Sequence, residues 1–115
     1  MIRAFIYMPF YEKGLKNLSL TLDDEIFIEN EILNNPAIGV VMQETGGVRK
    51  FRIPLQKGKS GGARVIYIDF PKFGKVYFLA IFAKNIKENL SKAEKNQMKN
   101  QVKLLEIEAE RGVIL

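Results

Sequence analysis

Apolar and polar positions alternate along this chain in patterns that divide it into strands and helices. Residues 2–8, IRAFIYM, alternate as a strand and stop at Pro9, which has no amide to give to a ladder. Over 10–18 the apolar Phe10, Leu15 and Leu18 fall near helical spacing, interrupted by Gly14, which predicts one short helix or an irregular turn. Thr21 followed by Asp24 is a capping signature, and Leu22, Ile26 and Leu33, with Phe27 and Ile32 alongside, predict a helix over 21–34 with a broad apolar stripe. Asn34-Asn35-Pro36 stops it.

Residues 38–44 read as an extended connector or the start of a strand. In the strand predicted over 47–53, a period of two puts Lys50 and Arg52 on one side and Phe51 and Ile53 on the other, and Pro54 ends it. ARVIYIDF, 63–70, is strongly β-forming, and Phe73-Gly74 closes a turn. The next strand, 75–84, is apolar on both sides, with Val76, Phe78 and Ala80 on one and Tyr77, Leu79 and Ile81 on the other, as expected of a central strand covered on both faces. Ser91 with Glu94 forms a capping box for a helix running to about 108, which buries Met98, Val102 and Leu105 and turns Lys92, Lys95, Lys99 and Lys103 to solvent. This order predicts one α+β domain over 1–115. Its curved antiparallel sheet of about four strands carries helices on one face and is concave and basic on the other.

Composition narrows the chemistry. At 115 residues the chain buries a real core without metal or disulfide staples. It has no cysteine, which removes thiolate nucleophiles and Cys-based zinc sites, and no histidine, which removes the commonest acid/base near neutral pH. No cofactor or metal is expected, and catalysis would fall to Lys, Arg, Tyr or carboxylates. No apolar run reaches the roughly 18 residues of a membrane span, and the N-terminus lacks the pattern of a secretory signal, so a cytoplasmic location is expected.

Charge is unevenly spread. Residues 1–45 carry three basic and seven acidic groups, 46–103 carry fourteen and three, and 104–115 carry one and three. The densest part is 46–64, GGVRKFRIPLQKGKSGGAR, with six positive charges and no acid, framed by Gly46-Gly47 and Gly61-Gly62. Such crowding is costly unless a polyanion offsets it, with nucleic acid first among candidates. The glycine pairs mark turns of positive φ or places of close approach.

The runs TGGVRKFR, GKSGGARVIYIDF and VYFLAIFAKNIKENLSKAEK resemble the RelE/ParE superfamily of type II toxins, most closely its HigB-like branch, over roughly 45–98. The resemblance implies a small toxin that enters the ribosomal A site and cleaves mRNA there, held inactive by a cognate helix-turn-helix antitoxin. It also implies site residues. Lys50 and Arg52 match basic positions on the second strand that face the scissile phosphate, Arg64 matches an arginine after the glycine loop, and Lys84 matches a basic residue ending the last strand. Around these catalytic candidates, Arg49, Lys57, Lys59, Tyr67 and Lys87 are the expected RNA contacts. The chain departs from the pattern in two places: Asn85 stands where an arginine follows the lysine, and the C-terminal tyrosine is missing, Phe82 being the last aromatic residue.

RNA cleavage by its own 2′-hydroxyl needs a proton acceptor, stabilisation of a dianionic phosphorane and a proton for the leaving 5′-oxygen. Arginine stays protonated, so Lys50 or Lys84 is the expected proton handler while Arg52 and Arg64 hold the phosphate. Two alternatives stay open: a ParE-like toxin that inhibits DNA gyrase without cutting RNA, and a non-catalytic RNA-binding module. The tail 111–115 is either a partner contact or a piece of core.

Overall fold

β-Branched and aromatic residues at alternating positions build a twisted sheet, and what covers its two faces decides where the cations go. The computed structural model describes residues 2–54, 62–83 and 90–112. In chain order they form β1 (Ala4–Tyr7), α1 (Pro9–Asn17), α2 (Leu22–Asn34), β2 (Val40–Val41), β3 (Arg49–Ile53), β4 (Ala63–Phe70), a 3-10 turn (Pro71–Phe73), β5 (Lys75–Ala83) and α3 (Lys92–Arg111). The sheet order is β1-β5-β4-β3-β2, antiparallel except for the parallel pair β1–β5.

The α+β class expected from the sequence is present, with two differences. The sheet has five strands and is mixed, because the chain crosses through α1 and α2 before the β2–β5 meander brings β5 back beside β1. The helices also lie on both faces. Tyr11 of α1 and Ile28 and Ile32 of α2 pack with Phe51, Val65, Tyr67 and Phe78 in one core. Val102, Leu105 and Ala109 of α3 pack with Ile66, Ile68, Tyr77 and Leu79 in a second core on the opposite face. Strands apolar on both sides must be covered on both sides, so one layer of helices is not enough.

Local signals explain most boundaries. Pro9 opens α1 at a position where its missing N–H costs nothing. Gly14 does not break this helix: a Cβ there would run into the carbonyl oxygen of Ile81, so glycine lets α1 lie directly on β5. α2 begins in a full capping box, with Thr21 Oγ1 accepting from the Asp24 amide at 3.2 Å and Asp24 Oδ2 accepting from the Thr21 amide at 2.9 Å. Its buried face is narrower than predicted. Ile28 and Ile32 are buried, whereas Leu22, Ile26 and Phe27 are exposed.

α3 starts in the predicted Ser91–Glu94 box and ends at Gly112, in the left-handed conformation. Its buried residues all lie from Val102 onward and Met98 is only partly buried against the same core, so the first half of the helix overhangs the sheet more loosely. Lys75 Nζ donates to the Ala109 carbonyl at 3.1 Å and ties down the helix end.

A β-bulge in β5 shapes the second face. The pairing steps from Ile66↔Ala80 to Tyr67↔Phe78, which leaves Leu79 as an extra residue. Leu79 and Ala80 therefore both face α3, and Ile81 returns to the α1 side, where strict alternation would have put Ala80 with Phe78.

Candidate functional site

The two strands that carry the cations are fixed by their apolar partners. Phe51 and Ile53 are buried against α1 and α2, and this forces Lys50 and Arg52, between and beside them, onto the α3 face. On β4, Val65 enters the same core as Phe51 and leaves Arg64 on the α3 face. The register pairs Arg52 with Arg64 and Lys50 with Ile66, so Lys50 sits diagonal to Arg64. Side chains directly opposite in this way have Cβ atoms about 4.5–5.5 Å apart.

The turns on either side hold that register. Gly62 has φ +65° and no room for a Cβ, which would strike the Ile53 carbonyl oxygen. It folds the chain tightly against the end of β3 one residue before β4 begins. Ahead of β3, fully buried Thr45 donates its hydroxyl to the Met42 carbonyl at 2.7 Å and accepts from the Val48 amide at 3.2 Å. Gly46 and Gly47, both at positive φ, complete the turn, as their sequence position suggested.

A cavity of about 800 Å³ opens on this face. Lys50 and Arg64 line one side; Ile66, Leu79, Ala80 and Phe82 form an apolar floor; Met8, Pro9 and Phe10 form one wall. The overhanging half of α3 supplies the other wall through Glu94, Gln97, Met98 and Gln101. Lys50 also lines a neighbouring cleft with Arg52 and Arg64, and a third with Lys95. Among the described residues no group of acidic side chains is arranged to hold a metal ion.

Not every candidate joins this site. Arg49 points the other way, and its Nη1 donates to the Gly39 carbonyl at 2.7 Å and lies 3.5 Å from that of Ala37. Tyr67 is fully buried in the α1/α2 core, where its hydroxyl donates to the Pro36 carbonyl at 2.8 Å and accepts from the Gly39 amide at 3.0 Å. Burial pushes its hydroxyl pKa up, against the lowering effects of the Gly39 amide and Arg49. Both residues brace the 36–39 connector on the face away from the cavity. Lys57, Lys59, Lys84, Lys87 and the end of the tail fall outside the described residues.

Other cavity residues carried no signal in the sequence. Met8, Phe10, Gln97 and Gln101 look like ordinary helix and loop positions, and Glu94 like a cap alone. Long-range pairing brings them together: β1 beside β5 places the start of α1 at one end of the floor, and the bulge at Leu79 turns Ala80 and Phe82 into it.

These features define a small single-sheet α+β domain with cations gathered at one end of one face. The sequence profile described as the RelE toxin of the RelE/RelB toxin–antitoxin system matches residues 37–112, from just before β2 to the end of α3. The chain belongs to this RelE toxin family and is the toxin side of a type II toxin–antitoxin pair. Its fold is similar to that of an arginine-to-alanine double mutant of the E. coli toxin RelE in the free state, with a TM-score of 0.53 at 16% identity. The match covers 89% of this chain and 98% of that one.

Proposed function

We propose that this toxin is an endoribonuclease that cuts mRNA on the ribosome through the RNA's own 2′-hydroxyl, without a metal ion. The observation that carries the proposal is the convergence of Lys50 and Arg64 on one cavity, with Arg52 directly across from Arg64. In the reaction the 2′-oxygen attacks the adjacent phosphorus, the bond to the 5′-oxygen breaks, and a 2′,3′-cyclic phosphate and a 5′-hydroxyl result. Arg52 and Arg64 bind the phosphate and stabilise the doubly negative phosphorane. Preorganised donors of this kind are worth about 10²- to 10³-fold each in rate. Lys50, which lines the cavity with Arg64, handles the proton, as the chain has no histidine to do so.

The surrounding lysines, including Lys95 beside Lys50 and the exposed Lys92, Lys99 and Lys103 of α3, suit docking on ribosomal RNA in the cytoplasm. The cognate antitoxin is expected to be a helix-turn-helix protein, as in the HigB-like branch. Primer extension on cellular mRNA after brief induction tests the proposal. Discrete cuts within translated codons that vanish in Lys50→Ala and Arg64→Ala support it. Intact mRNA with linearised plasmid would instead assign a ParE-like action on gyrase, and growth without inhibition would leave a plain RNA-binding module.

A further inference from the structure

We infer that the acidic surface formed by the end of β1 with α1 and α2 is a docking site for a basic segment of a partner protein, and that one arginine of this segment seats between the Tyr7 ring and the carboxylates of Glu25 and Glu29. This surface lies on the face opposite the cation cavity, so the site stands whether or not the cavity cuts RNA.

Crowded carboxylates are the first reason. Glu25 and Glu29 stand four residues apart on α2 and so share one side of the helix, and Glu12 of α1 is close enough for its charge to act on Glu25. Like charges at this spacing destabilise a helix. Among the described residues none of the three carboxylates forms an ion pair. A cation brought by a partner would offset their repulsion.

The second reason is the Tyr11 hydroxyl. The residue is fully buried, with its ring centroid 4.6 Å from that of Phe78 and 6.0 Å from that of Tyr7, yet its hydroxyl has no hydrogen-bond partner among the described residues. Burial first, and then the charges of Glu25 and Glu29, push its pKa up, which places the hydroxyl beside the same carboxylates. A buried phenol without a partner is costly to the free protein. Tyr7 stands next to it: its hydroxyl donates to Glu29 Oε2 at 2.5 Å, and the residue stays 37% exposed.

These groups suit a guanidinium. Among the described residues the carboxylates are not grouped to hold a metal ion. A guanidinium is planar, so it can lie against the Tyr7 ring while its fork of N–H donors reaches two carboxylates and a phenol oxygen at once. The compact ammonium of lysine has no such plane. Beside the carboxylates, Leu22 and Ile26 share one side of α2 and are 70% and 45% exposed. They give apolar contact to the residues flanking the arginine, which a free cation or a polyamine would lack.

The test titrates the full-length toxin with short blocked peptides that carry one arginine between leucines, and with matched peptides that carry lysine, glutamate or uncharged citrulline instead. Calorimetry gives the affinity, and the ring signals of Tyr7 and Tyr11 give the place. The arginine peptide is expected to bind and shift both sets of signals, with the lysine peptide roughly tenfold weaker and the other two without measurable binding. Glu25→Gln and Glu29→Gln should each weaken the arginine peptide by about 10- to 100-fold, the worth of a hydrogen bond to a charged group. Tyr11→Phe should melt at or above the wild-type temperature, because it removes the unpartnered hydroxyl, and still lose roughly 2- to 10-fold in affinity. Citrulline or lysine peptides that bind as well as the arginine peptide, competition by spermidine at equal strength, or unmoved Tyr7 signals overturn the inference. So does a Tyr11→Phe variant that melts lower than wild type and binds the peptide unchanged, since the hydroxyl would then be bonded within the free protein.

Discussion

Arg52 on β3 lies directly opposite Arg64 on β4, two permanent positive charges on adjoining strands that line one cleft with Glu31 of α2. Like charges placed so destabilise a sheet. Arg52 is also exposed, so its removal uncovers no core. Arg52→Ala is therefore expected to leave the melting temperature unchanged or slightly raised while lowering RNA cleavage by about 10²- to 10³-fold. RNA affinity should depend on salt with a slope shallower by about one. Loss of stability comparable to the loss of activity would show that Arg52 is structural.

Tyr67 and Arg49 make the opposite case. The Tyr67 hydroxyl bridges Pro36 and Gly39, and the Arg49 guanidinium holds the Gly39 carbonyl, all on the face away from the cavity. Tyr67→Phe leaves a buried amide and a carbonyl without that hydroxyl, at a cost of about 1–3 kcal/mol. Denaturant unfolding should show that loss, and growth inhibition at permissive temperature should persist. Loss of toxicity in a well-folded Tyr67→Phe variant would return the residue to the site.

What the sequence disclosed and what it hid follow from range. The alternation in β3, the Thr21 and Ser91 capping boxes and the glycine turns are local patterns, and each is found where it was expected. Lys50, Arg52 and Arg64 share a face because alternation along a strand and register across a turn are nearly local too. The parallel β1–β5 pair and the bulge at Leu79 depend on contacts far apart in sequence. They decide that α3 covers the second face and that Phe10 meets Gln97 and Gln101 across one cavity. The surroundings of Tyr67 were hidden for a related reason: a tyrosine among apolar strand residues has two faces open to it, and the hydroxyl's partners, Pro36 and Gly39, lie about thirty residues away.

Gly14 sets two principles against each other. Alanine improves an exposed helix interior by about 1 kcal/mol over glycine. Here the added Cβ meets the Ile81 carbonyl oxygen and side chain, backbone that cannot step aside without shifting β5. Gly14→Ala is expected to destabilise by about 1–3 kcal/mol, the cost of overpacking winning over propensity. Thermal unfolding checks the sign; a stabilised variant would mean that α1 slides freely on the sheet.

Glu25 gives a pH-dependent prediction at a distance from the cations. It stands in the first turn of α2, where the helix dipole favours a carboxylate. Its pKa is nevertheless raised, first by burial and then by the neighbouring charges of Glu29 and Glu12. The folded protein thus holds this proton more tightly than the unfolded chain does. Its favourable contribution is complete below the ordinary value of 4.5 and is lost as pH rises through the higher folded value. Glu25→Gln carries a neutral group at every pH, so it should melt higher than wild type at pH 7, with the gap closing as pH falls through the raised folded value and gone below 4.5. A gap that stays constant down to pH 3 would mean that the glutamine acts through packing or helix propensity, with no part played by the carboxylate's burial.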